Sequence, residues 1–187
     1  MKTLVVVDCQ NDFITGSLAC ENAENAVDNI VKFINNSKEM LRVVYSADWH
    51  TPKHCSFSCN GGTWPIHCVQ QSEGADIYEG FYDFEVTEQE PLEDNVFMKG
   101  DNDNVEEYSA YDARNTFGEV LNECVTDDVI VCGIACEFCV KNTIDDFIRN
   151  GFKVSIFKDG IAWVNKNDSD TILKEYENRG EIGRAHV

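Results

Sequence analysis

DDVIVCGIACEFCVKN, residues 127–142, changes its hydrophobic period in the middle. The first six residues are a short apolar, β-branched run of the kind that forms a buried strand. From Val140 onward, Ile144, Phe147 and Ile148 recur at helical spacing, and Gly151 closes the run. A strand that turns into a helix at GIACEFC places Cys139 in the helix's first turn or beside it. Free N–H groups and the positive end of the helix dipole gather there. In that setting the thiolate is favoured, and the same N–H groups can receive a developing oxyanion. A thiol packed as a small buried hydrophobe fits the same corner. What else reaches the corner decides between the two.

Working outward, the same kind of run recurs. KTLVVVD (residues 2–8) is continuously apolar until it ends in Asp8, as parallel strands covered on both faces do. The carboxyl ends of such strands are where open α/β sheets keep their ligands. Asp8 is equally suited to start a loop by bonding the backbone of Gln10 or Asn11. LRVVYSA (residues 41–47) is a second strand, followed by Asp48, Trp49 and His50. VFMK (residues 96–99) is a third, ending in Lys99, and KVSIF (residues 153–157) is a fifth after DDVIVC. Helices are predicted over residues 24–38, 113–124 and 169–178, the last capped by Asp168 or Ser169, with a short one near residues 75–82. Residues 51–74 show no period but are rich in His, Cys, Trp, Gly and Pro, which suits a functional loop better than a disordered one.

Strands alternating with helices predict a three-layer α/β/α domain around a mostly parallel sheet. The final residues, GEIGRAHV, stand where such a domain usually adds another strand. EIGRAHV is also what translating a common sequencing adapter gives. Residues 1–180 are therefore expected to be the domain, residues 181–187 a non-native tail, and the C-terminal edge strand to be missing.

A chain of 187 residues with 43% hydrophobic content suits one globular domain. The net charge of −19, from 34 acidic and 15 basic residues, repels phosphate backbones and anionic membranes, so nucleic-acid and membrane binding are not expected. No window approaches a membrane span, and the apolar run after Lys2 is too short for a signal peptide. A cytoplasmic location is expected, with the nine cysteines mostly reduced thiols. Homo-oligomerisation is left open.

Two constellations carry chemistry. Asp48-x-His50 with His67 offers one carboxylate and two imidazoles, a set suited to zinc, iron or manganese with open positions for water or ligand. The same histidines could be satisfied loop residues, and His54 with Cys55, Cys59 and Cys68 offers a structural zinc cluster instead. The second constellation is Asp8, Lys99 and Cys139, each at the carboxyl end of a different predicted strand. They would supply a proton shuttle, a fixed positive charge and a nucleophile. The proton-shuttle role needs an Asp8 pKa above its solution value; burial favours that and Lys99 opposes it.

The blocks VVVDCQNDF, ADWH, HCSF, NGGTWPIHCVQ, FMKG, YSAY and GIACEFCVKNT, in that order, resemble the nicotinamidases of the isochorismatase-like cysteine hydrolases. The resemblance implies hydrolysis of nicotinamide, and also pyrazinamide, to the acid and ammonia in NAD salvage. It implies that Cys139 is the nucleophile with Asp8 and Lys99 as catalytic partners, and that Asp48, His50 and His67 hold one divalent metal ion, often zinc. Phe13 and Trp64 match residues flanking the substrate ring. Ile134 and Ala135 match a cis peptide at the substrate, with the Ala135 and Cys139 N–H groups forming the oxyanion hole. Related amidases acting on carbamoyl or ureido substrates share the nucleophile but usually lack the Asp-x-His plus His set. A thiol–disulfide protein built on Cys136-x-x-Cys139 and a zinc-binding interaction module are the readings from other classes.

Overall fold

The computed structural model describes residues 1–37, 41–179 and 182–184. One sheet is built from β1 (Lys2–Val7), β2 (Leu41–Asp48), β3 (Val96–Lys99), β4 (Asp128–Gly133), β5 (Lys153–Ile161) and β6 (Ile182–Arg184). The strands hydrogen-bond in the order β3-β2-β1-β4-β5-β6, each parallel to its neighbours. Leu4 to Val7 and Val129, Val131 and Cys132 are buried because helices cover both sheet faces, and their residues run apolar without alternation for that reason. This is the three-layer α/β/α architecture expected from the alternation of elements.

The helices are α1 (Asn11–Ile14), α2 (Ala23–Ser37), α3 (Leu121–Cys124), α4 (Lys141–Arg149) and α5 (Lys166–Arg179). α2 buries Ala26, Val27, Ile30, Phe33 and Ile34 as one stripe, and the Phe33 ring stacks on Phe157 of β5 at 4.4 Å. Each large side chain in that stripe contributes about 1.5–3 kcal/mol of apolar burial. α4 buries Thr143, Ile144 and Phe147, and Phe147 meets Phe152 edge-on at 5.0 Å.

Four expectations are corrected. Residues 113–120 are not helical, and only Leu121–Cys124 is. The Asn115 side chain accepts the N–H groups of Phe117 (3.0 Å) and Glu119 (2.9 Å), a turn that competes with the helix. Phe117, expected on the buried face, is 66% exposed. Near residues 75–82 there are two 3₁₀ turns, Glu73–Ala75 and Glu79–Phe81, rather than one helix. α5 starts before Asp168 and Ser169; Asn165 caps it, its side-chain oxygen accepting the N–H of Asn167 at 2.9 Å. Finally, the sheet does gain an edge strand after α5. Ile182–Arg184 pairs in parallel with Val154–Ile156, inside the stretch expected to be a tail. Of that stretch, residues 181 and 185–187 lie outside the described residues.

The order of strands reverses between β1 and β4, so their connections leave in opposite directions and open a crevice at their carboxyl ends. Asp8 leaves β1 and Cys139 follows β4 at that crevice. Asp48 and Lys99 are register partners at the ends of β2 and β3.

Candidate active site and metal centre

Four neighbouring strand ends deliver the central groups. Asp8 has φ +48°, a left-handed conformation rare for a residue with a Cβ, which swings its side chain over the sheet edge. Ser46, on β2, holds it there: its Oγ donates to Asp8 Oδ1 at 2.6 Å, and its carbonyl accepts the Asp8 N–H at 3.1 Å. Lys99 is buried, and an ammonium has three hydrogens to place. They go to Asp48 Oδ1, to the Glu107 carbonyl at 3.3 Å and to Cys139 Sγ at 3.6 Å. Asp8 Oδ2 lies 2.9 Å from the same nitrogen, close enough for ion pairing, yet it receives no aligned hydrogen bond. That leaves its lone pairs open to the neighbouring thiol.

The electrostatics follow from this division. Burial pushes the Asp8 carboxyl above the usual range; Lys99 and Ser46 pull against it without winning, and Asp48 adds to the rise. Burial acts on Asp48 too, but Lys99 and His50 outweigh it and hold that carboxyl well below its usual range. Of two carboxylates sharing one ammonium, the one with the aligned hydrogen bond is the better stabilised as an anion. Burial alone would lower Lys99, but Asp48, Asp8 and Cys139 together hold it well above its ordinary value. The Cys139 thiol is pushed well up by burial, against Lys99 and with Asp8 and Asp48 reinforcing. Desolvation and two nearby carboxylates thus work against the thiolate that the helix end was expected to favour.

Cys139 sits in a π-helical turn, Cys136–Val140, that runs directly into α4. The peptide between Ile134 and Ala135 is cis. Ala135 and Cys139 both line the pocket, whereas Ile134 is fully buried behind it, its N–H bonded to the Val7 carbonyl at 2.9 Å.

Asp48, His50 and His67 are all buried, with ligand atoms within 4.8 Å of one another. Asp48 Oδ2 lies 3.5 Å from His50 Nε2 and 4.0 Å from His67 Nε2, longer than good hydrogen bonds. The other ring nitrogens are committed: His50 Nδ1 donates to the Gly100 carbonyl and His67 Nδ1 to the Pro65 carbonyl, each at 2.7 Å. Both Nε2 lone pairs are thereby left for one shared point facing a carboxylate oxygen, a donor set that fits a divalent transition-metal ion with open positions. Asp8, Asp48 and Cys139 also bring ligand atoms within 4.8 Å, but the Lys99 ammonium already contacts all three. The alternative cysteine cluster does not assemble among the described residues. His54 has both nitrogens engaged, with Ser56 Oγ at 2.7 Å and the Val105 carbonyl at 3.1 Å, and its tilted ring packs against His50 at 4.0 Å as a wall.

A pocket joins the two groups. Its walls include Asp48 and His67 of the ligand set, Cys139 and Ala135, and the aromatic rings of Phe13, Trp64, Tyr108 and Phe138; Asp48 brings a carboxylate oxygen within 4.8 Å of the Cys139 sulfur. Trp64 meets Phe138 edge-on at 4.9 Å, and its Nε1–H donates to the Tyr108 hydroxyl at 3.2 Å. Phe13 packs against the His67 ring at 5.4 Å. Tyr108, Phe138 and Ser46 join the site without having been among the expected site residues. Tyr108 opens the YSAY block and Phe138 stands beside Cys139 in GIACEFCVKNT, whereas Ser46 carries no such signal.

A family model described as the isochorismatase domain matches residues 2–183. A nicotinamidase of Escherichia coli is 31% identical over 91% of this chain and 87% of its own. Among solved structures, the pyrazinamidase of Pyrococcus horikoshii in complex with zinc superposes with a TM-score of 0.83 at 29% identity, covering 99% of this chain and 98% of that one. A yeast nicotinamidase bound to the inhibitor nicotinaldehyde gives 0.82 at 27% identity over 100% of both chains.

Proposed function

The chain belongs to the isochorismatase family, and from that premise we propose that it hydrolyses nicotinamide to nicotinate and ammonia, a step of NAD salvage, with pyrazinamide as a second substrate. The observation that carries this reading is an aromatic-walled pocket lined by Cys139, Asp48 and His67, with the Lys99 ammonium and the raised Asp8 carboxyl buried against that thiol and His50 completing an Asp-His-His set. The nine free thiols suit a reducing, cytoplasmic setting. Among the described residues no helix is long and apolar enough to cross a membrane.

In this mechanism Cys139 rests as a thiol and needs a base at the moment of attack. Asp8 Oδ2, unbonded and beside it, takes the proton as sulfur adds to the carboxamide carbon. The Ala135 and Cys139 N–H groups receive the oxyanion, each such donor contributing on the order of 3 kcal/mol in acyl transfers. Asp8 then protonates the nitrogen as the C–N bond breaks and ammonia leaves. It next draws a proton from water, whose oxygen attacks the thioester; the C–S bond breaks and the sulfur recovers its proton from Asp8. A raised Asp8 pKa suits this alternation between base and acid. Lys99 keeps the site's charge balanced throughout.

Asp48, His50 and His67 would hold the ion, zinc being the best match to a carboxylate–bis-imidazole set and iron or manganese the competitors. When bound, the ion would offer the ring nitrogen of the substrate a Lewis-acid contact. The aromatic walls orient the ring so that its carboxamide faces Cys139. Ammonia release is to be measured with nicotinamide, pyrazinamide and a ureido compound side by side. Turnover of the two ring amides, abolished in Cys139→Ala, is expected. Turnover of the ureido compound alone, or a fully active Cys139→Ala, would overturn the reading.

A further inference from the structure

We infer that Gln10 and Asp12 are positioning residues for the ion site, holding Asp48 and His67 at their shared point. The inference rests on the reading of Asp48, His50 and His67 as ion ligands. β1 ends at Val7, and the left-handed turn at Asp8 carries the chain away from β2, so Asp48 is paired with β3 on one side but the β1 ladder does not reach it on the other. Gln10 replaces it with its side chain. The amide is 0% exposed; its Oε1 accepts the Asp48 N–H at 2.8 Å, and its Nε2 donates to the Asp48 carbonyl at 2.8 Å. That reciprocal pair has the form of one rung of an antiparallel ladder. The second Nε2 hydrogen goes to the Ala75 carbonyl at 2.8 Å, so the amide is rigid on both sides. Asp48 can thus turn Oδ1 to Lys99 and Oδ2 to the histidines without its backbone drifting.

Asp12 does the same for the loop that carries His67. Its Oδ2 accepts the N–H of Cys68 at 2.7 Å, and its Oδ1 accepts that of Ser17 at 3.2 Å. Cys68 is in the left-handed region at φ +46°, a conformation that needs such a partner. Gly74 leaves the room: a Cβ there would stand 2.2 Å from Asp12 Oδ2. Alternate residues of one short segment therefore reach Asp8's site, Asp48 and the neighbour of His67 in turn. Groups that orient metal ligands from outside the coordination sphere typically change affinity by about tenfold to a hundredfold when removed.

Cobalt(II) tests this, because its visible absorption reports coordination number and its affinity can be read by competition against a chelator. The full chain is stripped of metal and titrated as wild type, His50→Ala, Gln10→Ala, Gln10→Glu, Asp12→Ala and Asp12→Asn, each first checked by circular dichroism and melting temperature. Expected are a saturable spectrum in wild type and its loss in His50→Ala. Gln10→Ala, Gln10→Glu and Asp12→Ala should bind about tenfold to a hundredfold more weakly with altered band shape, and Asp12→Asn, which keeps an acceptor, should recover most of the affinity. Asp12 is only half-buried, so its variants remain informative if those of Gln10 fail to fold. Wild-type affinity and spectrum in a folded Gln10 or Asp12→Ala variant would overturn the bracing role while leaving the ion reading intact. No spectrum in wild type would overturn both.

Discussion

The two groups around the pocket, one at the thiol and one at the imidazoles, are held by different means. At the thiol end, Asp8, Lys99 and Cys139 stand at or just beyond strand ends, and the parallel ladder fixes their spacing before any side chain acts. At the imidazole end, His50 and His67 project from a segment with no regular strand, fixed by isolated bonds: ring nitrogens to Gly100 and Pro65, Gln70 Nε2 to the Trp49 carbonyl at 3.0 Å, and Asp12 to Cys68. Where the sheet stops, one isolated backbone bridge between His50 and Val69 remains, and side-chain amides and carboxylates supply the other restraints. Changes at the thiol end should therefore abolish chemistry without disturbing the fold, and changes at the imidazole end should loosen geometry by degrees.

The largest expected effect is at the nucleophile. Cys139→Ala should lower nicotinamide turnover by about 10⁴-fold or more while leaving metal content unchanged, which metal analysis beside the ammonia assay would check. Asp8→Asn should also lose about 10²–10⁴-fold in rate, yet melt higher than wild type near neutral pH. The sign follows from the raised Asp8 pKa: an ionised Asp8 destabilises the folded state once pH exceeds the folded value. The gain in melting temperature should be full above that value and close as pH falls below the ordinary aspartate pKa of about 4. An Asp8→Asn protein that melts lower at every pH would break the contrast between the two ends.

At the imidazole end, His67→Ala should raise KM beyond about tenfold, with the alkylation rate of Cys139 by iodoacetamide unchanged. Gly100→Ala should act more mildly on the same end. Gly100 has φ +72°, and an added Cβ would stand 2.5 Å from His50 Cε1. A loss of about 1–2 kcal/mol in stability, read by urea unfolding, is expected along with weaker metal retention. Phe117→Ser, on the exposed turn, should stay within about 0.5 kcal/mol of wild type; a helix there would make it far more damaging.

The thiol end was legible in the sequence because each buried strand is an unbroken apolar run, and the first charged residue after it marks the sheet edge. Asp8 and Lys99 stand out for that reason, and Cys139 by the change from strand to helix period. The ionisation of those groups was not legible. A helix end favours a thiolate only modestly, whereas burial and two carboxylates raise Cys139, and their weight depends on distances no spacing encodes. The candidate ligands showed as residue types, but nothing along the chain tells that His54 spends both nitrogens on Ser56 and Val105 while His50 keeps one free. Residues 113–120 were misread because Phe117, Val120 and Leu121 fall at helical spacing; one asparagine side chain redirects the backbone. The last strand, Ile182–Arg184, falls within EIGRAHV, whose likeness to a translated adapter argues for a tail and not for a strand.

The reversal of strand order between β1 and β4 also decides what a divided chain can do. A cut in the loop between β3 and α3 would leave Asp8, Asp48, His50, His67 and Lys99 on one fragment and Cys139 on the other. Neither piece alone carries a complete reactive centre. Catalysis would return only when the fragments rejoin along the β1–β4 seam, which makes ammonia production a readout of reassembly and any split version of this protein a sensor of proximity between whatever is fused to its halves.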